Sequence, residues 1–177
     1  PVPYANYFIF SSKIKEFAKE NSFRIDEYNV SVNGNQLFKP YRTILYEGHS
    51  NDDKKEYDQI YDVEFKIFKD PMEKVIAWMW FGIAKFEKVI PTVNEMRCIR
   101  LRKENIQIGD ENTMGKFFKQ ERGNSYYIGE VFAVDNNLIP NARRDYFNPN
   151  PSAKKFEESL HNFFYLELYN LYYYASK

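Results

Sequence analysis

The chain has 177 residues, 44% of them hydrophobic and 19% aromatic, with 25 Lys+Arg balanced by 25 Asp+Glu. That length suits one domain, and 15 Tyr with 16 Phe supply too much apolar area for a disordered chain. Zero net charge removes the electrostatic footprint of a non-specific nucleic-acid binder, and a single cysteine excludes an internal disulfide framework.

One cysteine also suits a reducing cytoplasm. The N-terminus, Pro1-Val2-Pro3-Tyr4, has neither the basic head nor the apolar core of a secretory signal, so a cytoplasmic location is expected. Mean hydropathy is −0.65. The longest apolar run, Val75 to Phe81, is far short of the ~20 residues of a membrane helix. With no initiator Met, the sequence reads as a piece of a larger protein.

In chain order, Ser11-Ser12 ahead of Ile14, Phe17 and Ala18 predicts a short amphipathic helix over 12–21 with a serine cap. Asn33-Gly34 between residues 29–32 and 35–38 predicts a hairpin, because both central positions of its turn need positive φ. Residues 48–58 are polar, carry both charge signs and read as an exposed loop. Strands are predicted over 60–68, 75–86 and 98–108, with a turn at Asp70-Pro71 between the first two. The third alternates Ile99, Leu101, Ile106 and Ile108 around a charged centre. A short helix over 114–120 and a strand over 126–134 come next. Asn150-Pro151 then offers an N-cap with Pro at N1, and Phe156, Leu160, Phe163, Phe164, Leu168 and Leu171 recur at helical spacing. These elements make an α+β domain with a mostly antiparallel sheet.

Few residues suit metal or nucleotide chemistry. His49 and His161 are far apart and Cys98 has no partner cysteine, so no metal-ligand spacing exists. Cys98 lies between Arg97 and Arg100, which could activate a thiol, but it reads as a small buried residue. Gly109 to Lys116 superficially resembles a phosphate-binding loop. Its glycines are one residue too far apart, and Phe117 stands where Ser or Thr must reach Mg²⁺.

Two basic features remain. Arg97-Cys98-Ile99-Arg100-Leu101-Arg102-Lys103 puts four cations in seven residues; on a strand, Arg100 and Arg102 share one face and Ile99 and Leu101 the other. That face is either solvated or meets phosphate or an acidic partner. The second feature is the run Asp135 to Phe147. It is either a connector in which Arg144 bridges to Asp145, or a loop that projects a guanidinium into a neighbouring domain.

The run Val134-Asp135-Asn136-Asn137-Leu138-Ile139-Pro140-Asn141-Ala142-Arg143-Arg144-Asp145 resembles the catalytic loop in the middle domain of ninety-kilodalton heat-shock chaperones. That loop reads valine-aspartate, a short polar stretch, leucine-proline-leucine-asparagine, two residues, then arginine and an acid. Asn141, Arg144 and Asp145 fall on its asparagine, arginine and acid. The departures are a proline one place later, at Pro140, Arg143 in place of a small residue, and Asn148 where glutamine is usual. Residues 99–108 resemble the family's basic strand, and the long helix after the loop also matches. Residues 97–177 look closer still to a bacterial group of chaperone-like ATPases of the gyrase, histidine-kinase and heat-shock type.

The resemblance implies a middle, or transducer, domain of a stress-response chaperone. Residues 75–177 would be its core and residues 1–70 an N-terminal helix and hairpin portion. The implied fold is like that of ribosomal small-subunit protein five, with helices on one face of the sheet and a left-handed βαβ crossover. ATP and Mg²⁺ would be held by a preceding ATPase domain, leaving no cofactor in this chain. The implied catalytic residues are Arg144 and Asn141, with Arg143, Asn148, Arg100 and Arg102 as phosphate-contact candidates. The implied partners are that ATPase domain, protein clients and a second copy of the full-length protein, with no membrane. The alternative is a non-catalytic module that binds protein clients or nucleic acid through the basic strand 97–103.

Overall fold

A computed structural model describes residues 1–48 and 55–177. After an N-terminal segment, helix α1 (Ser11–Glu20) turns Ile14 and Ala18 inward. The expected serine cap is absent: Phe10 holds the cap position, and no side chain bonds to the exposed N–H groups. Strands β1 (Ser31–Val32) and β2 (Asn35–Gln36) form the predicted hairpin, with Asn33 at φ 50° and Gly34 at φ 80°.

Strands β3 (Ile44–Glu47) and β4 (Lys55–Gln59) form a second antiparallel pair. The expectation of a loop over 48–58 therefore fails at 55–58, where Lys55, Glu56 and Asp58 pair with β3 across a bulge. Residues 49–54 of that expectation, His49 among them, lie outside the described residues.

The main sheet comprises β5 (Asp62–Lys69), β6 (Val75–Ile83), β7 (Cys98–Lys103), β8 (Ile106–Ile108) and β9 (Ile128–Ala133), in the order β5-β6-β9-β7-β8. All its neighbours are antiparallel except β7 and β9. The domain is thus α+β with a mostly antiparallel sheet. The single strand predicted over 98–108 is instead a hairpin: Glu104 and Asn105, at φ 51° and 60°, turn β7 into β8. The helix predicted over 114–120 is a pair of 3₁₀ turns, Thr113–Phe117 and Glu121–Tyr126, in the crossover from β7 to β9.

Both faces of this sheet are covered, so β6 is buried along its whole interior. On one face Ala77, Met79, Phe81, Ile99, Leu101 and Val131 meet the C-terminal helix. On the other, Trp78, Trp80, Ile128 and Phe132 meet Tyr4, Phe8, Ile14, Ala18, Tyr41 and Leu45. This corrects the expected placement of helices on one face. Two tryptophans on the second face need cover, and α1 with the N-terminal segment supplies it. Cys98 is 2% exposed there and burial raises its thiol pKa, as suits a small core residue.

The tail begins as predicted, with Asn150 Oδ1 accepting from Ala153 N at 2.8 Å and Pro151 at N1 of α2 (Pro151–Asn162). A π turn over Phe163–Leu168 then leads into α3 (Tyr169–Ala175). Phe156, Leu160, Phe163, Phe164 and Leu168 are buried as expected, but Leu171 is 40% exposed and Tyr172 takes its place in the core. One extra residue in the wide turn shifts every later position around the axis. Tyr127 Oη donates to the Leu168 carbonyl at 2.5 Å beside that turn. No helix among the described residues is long and apolar enough to cross a membrane.

Candidate functional site

The loop that leaves β9 is closed by backbone bonds. Val134 and Asp135 N donate to the Ile76 carbonyl, and Asp135 Oδ1 accepts from Asn137 N at 2.9 Å. Leu138 is fully buried and anchors this end in the core. Pro140 and Phe147 then form an antiparallel bridge, with Asn141 N donating to the Tyr146 carbonyl at 2.9 Å and Asn148 N to that of Ile139 at 2.8 Å. The tip is residues 142–145.

Asn141 and Asp145 lock the tip from inside. Asn141 Nδ2 donates to Asp145 Oδ1 at 2.5 Å, and Asp145 N donates to Asn141 Oδ1 at 3.2 Å. The connector reading, in which Arg144 bridges to Asp145, therefore does not hold: the asparagine takes that carboxylate. Arg143, Arg144 and Asn148 are exposed, and neither guanidinium has an ion pair or hydrogen bond among the described residues. Arg144 has a left-handed backbone at φ 55°, uncommon for a residue with a side chain.

The rejected phosphate-loop lookalike supports this tip. Gly109 N donates to the Arg144 carbonyl at 2.8 Å. Gly109 sits at φ 71°, and a Cβ there would lie 1.9 Å from Thr113 Oγ1 and 2.9 Å from the Asp145 carbonyl oxygen. Only glycine allows that approach.

Arg100 and Arg102 are not part of this site. They share a face as predicted, but it is the face covered by the N-terminal segment, and they are 8% and 6% exposed. Arg100 donates to the carbonyls of Glu95 and Arg97. Arg102 Nε donates to Glu130 Oε2. Both readings of the face, solvated or contacting a partner, are corrected by this burial. Lys103 Nζ, at the end of the strand, reaches the Asp135 carbonyl at 2.7 Å and ties β7 to the start of the loop.

Sequence reasoning missed the centre of that face. Glu130, fully buried on β9, accepts from Tyr4 Oη at 2.5 Å and Trp80 Nε1 at 3.0 Å on one oxygen, and from Lys39 Nζ at 2.8 Å and Arg102 on the other. Burial alone would raise its pKa, but Lys39, Arg102 and the hydrogen bonds hold it at about 2. Burial pushes Lys39 down to about 8 against the pull of Glu130, which leaves it protonated at neutral pH. Lys39 also donates to Asn105 Oδ1 at 2.5 Å, and Asn105 Nδ2 to the Asp26 carbonyl. The cluster joins the N-terminal segment to β9, β7 and the β7–β8 turn. The available signal was an acid at the middle of an otherwise apolar predicted strand.

Among the described residues, no group of three or more His, Cys, Asp and Glu is arranged to hold a metal ion. Compared with known proteins, the chain matches no family model and no curated sequence.

Proposed function

We propose that this chain is the middle, or transducer, domain of a cytoplasmic chaperone-type ATPase. Arg144 is presented to the γ-phosphate of ATP held, with Mg²⁺, in a preceding ATPase domain. The observation that carries the reading is the state of Arg144: an exposed guanidinium, unpartnered among the described residues, on a loop whose backbone is fixed on three sides. Fixing the loop lowers the entropy lost when the guanidinium engages a phosphate. Its left-handed backbone is a local strain of the kind that gathers at functional loops.

In this reading Asn141 positions the loop through Asp145, and Arg144 stabilises charge that builds on the transferred phosphoryl group. Hydrolysis releases the contact, so domain position follows nucleotide state. The loop is joined to β7 through Lys103 and to the core through Leu138, which gives its displacement a route into the sheet. The parallel β7–β9 pair with its crossover is taken as the left-handed unit of the implied fold.

Steady-state kinetics on the full-length protein test this. Arg144→Ala is expected to slow turnover with KM nearly unchanged, and Arg144→Lys to restore it only partly, since an ammonium lacks the two-pronged planar donor. Arg143→Ala is expected to have the smaller effect. Equal turnover by wild type and Arg144→Ala would reduce the arginine to a surface residue.

A further inference from the structure

Between the tail helix and the β5 edge of the sheet lies a groove of about 500 Å³, lined by Glu64, Phe81, Phe163, Glu167, Leu171 and Tyr174. Its floor is aromatic, with the Phe81 and Phe163 rings edge to face and 5.8 Å apart. Its outer lip is apolar and open: Leu171 is 40% and Tyr174 69% exposed. The π turn helps build it, because a regular helix would carry Leu171 into the core and leave no lip.

Two carboxylates flank the floor. Glu64 stands opposite Phe81 in the β5–β6 register, and Glu167 lies in the π turn. Both are exposed, and neither has an ion pair or hydrogen bond among the described residues. The cation nearby is Lys66, whose Nζ is 5.4 Å from the Phe163 ring centroid. The ring face thus already attracts an ammonium, while the two carboxylates lack one.

We propose that this groove docks a basic, apolar segment of a partner protein. A lysine or arginine enters between Glu64 and Glu167, lays its aliphatic stem along Phe81 and Phe163, and seats an apolar neighbour on Leu171 and Tyr174. Long cationic side chains combine an apolar stem with a charged head, and aromatic faces and carboxylates attract that head. With two carboxylates against one lysine, the rim is net acidic and disfavours an acidic peptide, a nucleic acid or an anionic lipid surface. The proposal goes beyond the ATPase reading and does not depend on it.

The test titrates the whole chain with a fluorescein-labelled peptide that alternates leucine with lysine and arginine. Fluorescence anisotropy reads the affinity, and backbone amide shifts locate the contact. Saturable binding is expected, with shifts gathered at residues 64–66 and 163–174. Glu64→Gln and Glu167→Gln should each weaken it about three- to fivefold, the range of an exposed charge pair. Leu171→Asp should abolish it, and all three positions are exposed, so the fold survives. Undiminished binding to the Glu64→Gln/Glu167→Gln double variant would overturn the proposal. So would shifts gathered elsewhere, or equal binding of a peptide carrying glutamate in place of its cations. Saturation by octyltrimethylammonium without binding of the peptide would overturn the partner-protein assignment in favour of a small organic cation.

Discussion

Replacing Glu130 with Gln removes the buried carboxylate that pairs with two buried cations. Lys39 and Arg102 are 4% and 6% exposed, and both donate to the same carboxylate oxygen. Gln keeps one acceptor oxygen for the donors of Tyr4, Trp80, Lys39 and Arg102, and turns an NH₂ donor towards the rest. Breaking a buried ion pair by removing one partner costs about 3–5 kcal/mol, a large share of the roughly 5–15 kcal/mol that holds a domain folded. With a urea slope of about 1–3 kcal/mol/M, the unfolding midpoint should fall by about 2 M. Urea titration at neutral pH, followed by far-UV circular dichroism and tryptophan fluorescence, measures it. Trp80 is a local reporter, since its indole N–H donates to Glu130. Adding Lys39→Met to Glu130→Gln should recover part of the loss, because it removes one of the stranded cations. A loss below about 1 kcal/mol for Glu130→Gln, or a further loss in the double variant, would refute this account of the cluster.

Acid should act through the same carboxyl. Its folded pKa of about 2 lies below the ordinary 4.5, so its contribution is complete above about pH 4.5 and is lost as pH falls towards 2. That difference is worth about 3 kcal/mol, and wild-type stability measured down to about pH 3 should fall more steeply than that of Glu130→Gln; coincident slopes would contradict it. In the tail, Leu160→Ala should cost about 2–5 kcal/mol because Leu160 is fully buried, whereas Leu171→Ala should cost under about 0.5 kcal/mol. Chemical denaturation of both variants checks the pair, and a costly Leu171→Ala would mean that the helix keeps a regular turn.

What could be read from the sequence was mostly local. The Asn33-Gly34 turn carries its own φ requirement, and Asn150-Pro151 carries its own cap, so both elements formed where expected. The tail stripe could be followed only as far as the π turn, which lies against Tyr127, the residue just ahead of β9. The β7–β8 turn escaped notice because Glu104-Asn105 reaches positive φ without glycine. Alternation placed Arg100 and Arg102 on one face, but their burial depends on Tyr4, Lys39 and Tyr41 arriving from far along the chain. Glu130 stands out as an acid within an apolar strand, but the partners that make it a buried cluster come from those same distant segments. In the loop, the sequence suggested Arg144 as the partner of Asp145, whereas the Asn141–Asp145 pairing and the support from Gly109 needed the fold.

The central claim is that Arg144 acts on ATP bound in another domain, and single-turnover hydrolysis by the full-length protein tests it most directly. With ATP affinity measured separately, Arg144→Ala should lower the rate constant of the chemical step by about a hundredfold or more while Kd changes less than about twofold. An unchanged rate constant, or a loss confined to Kd, would contradict the account.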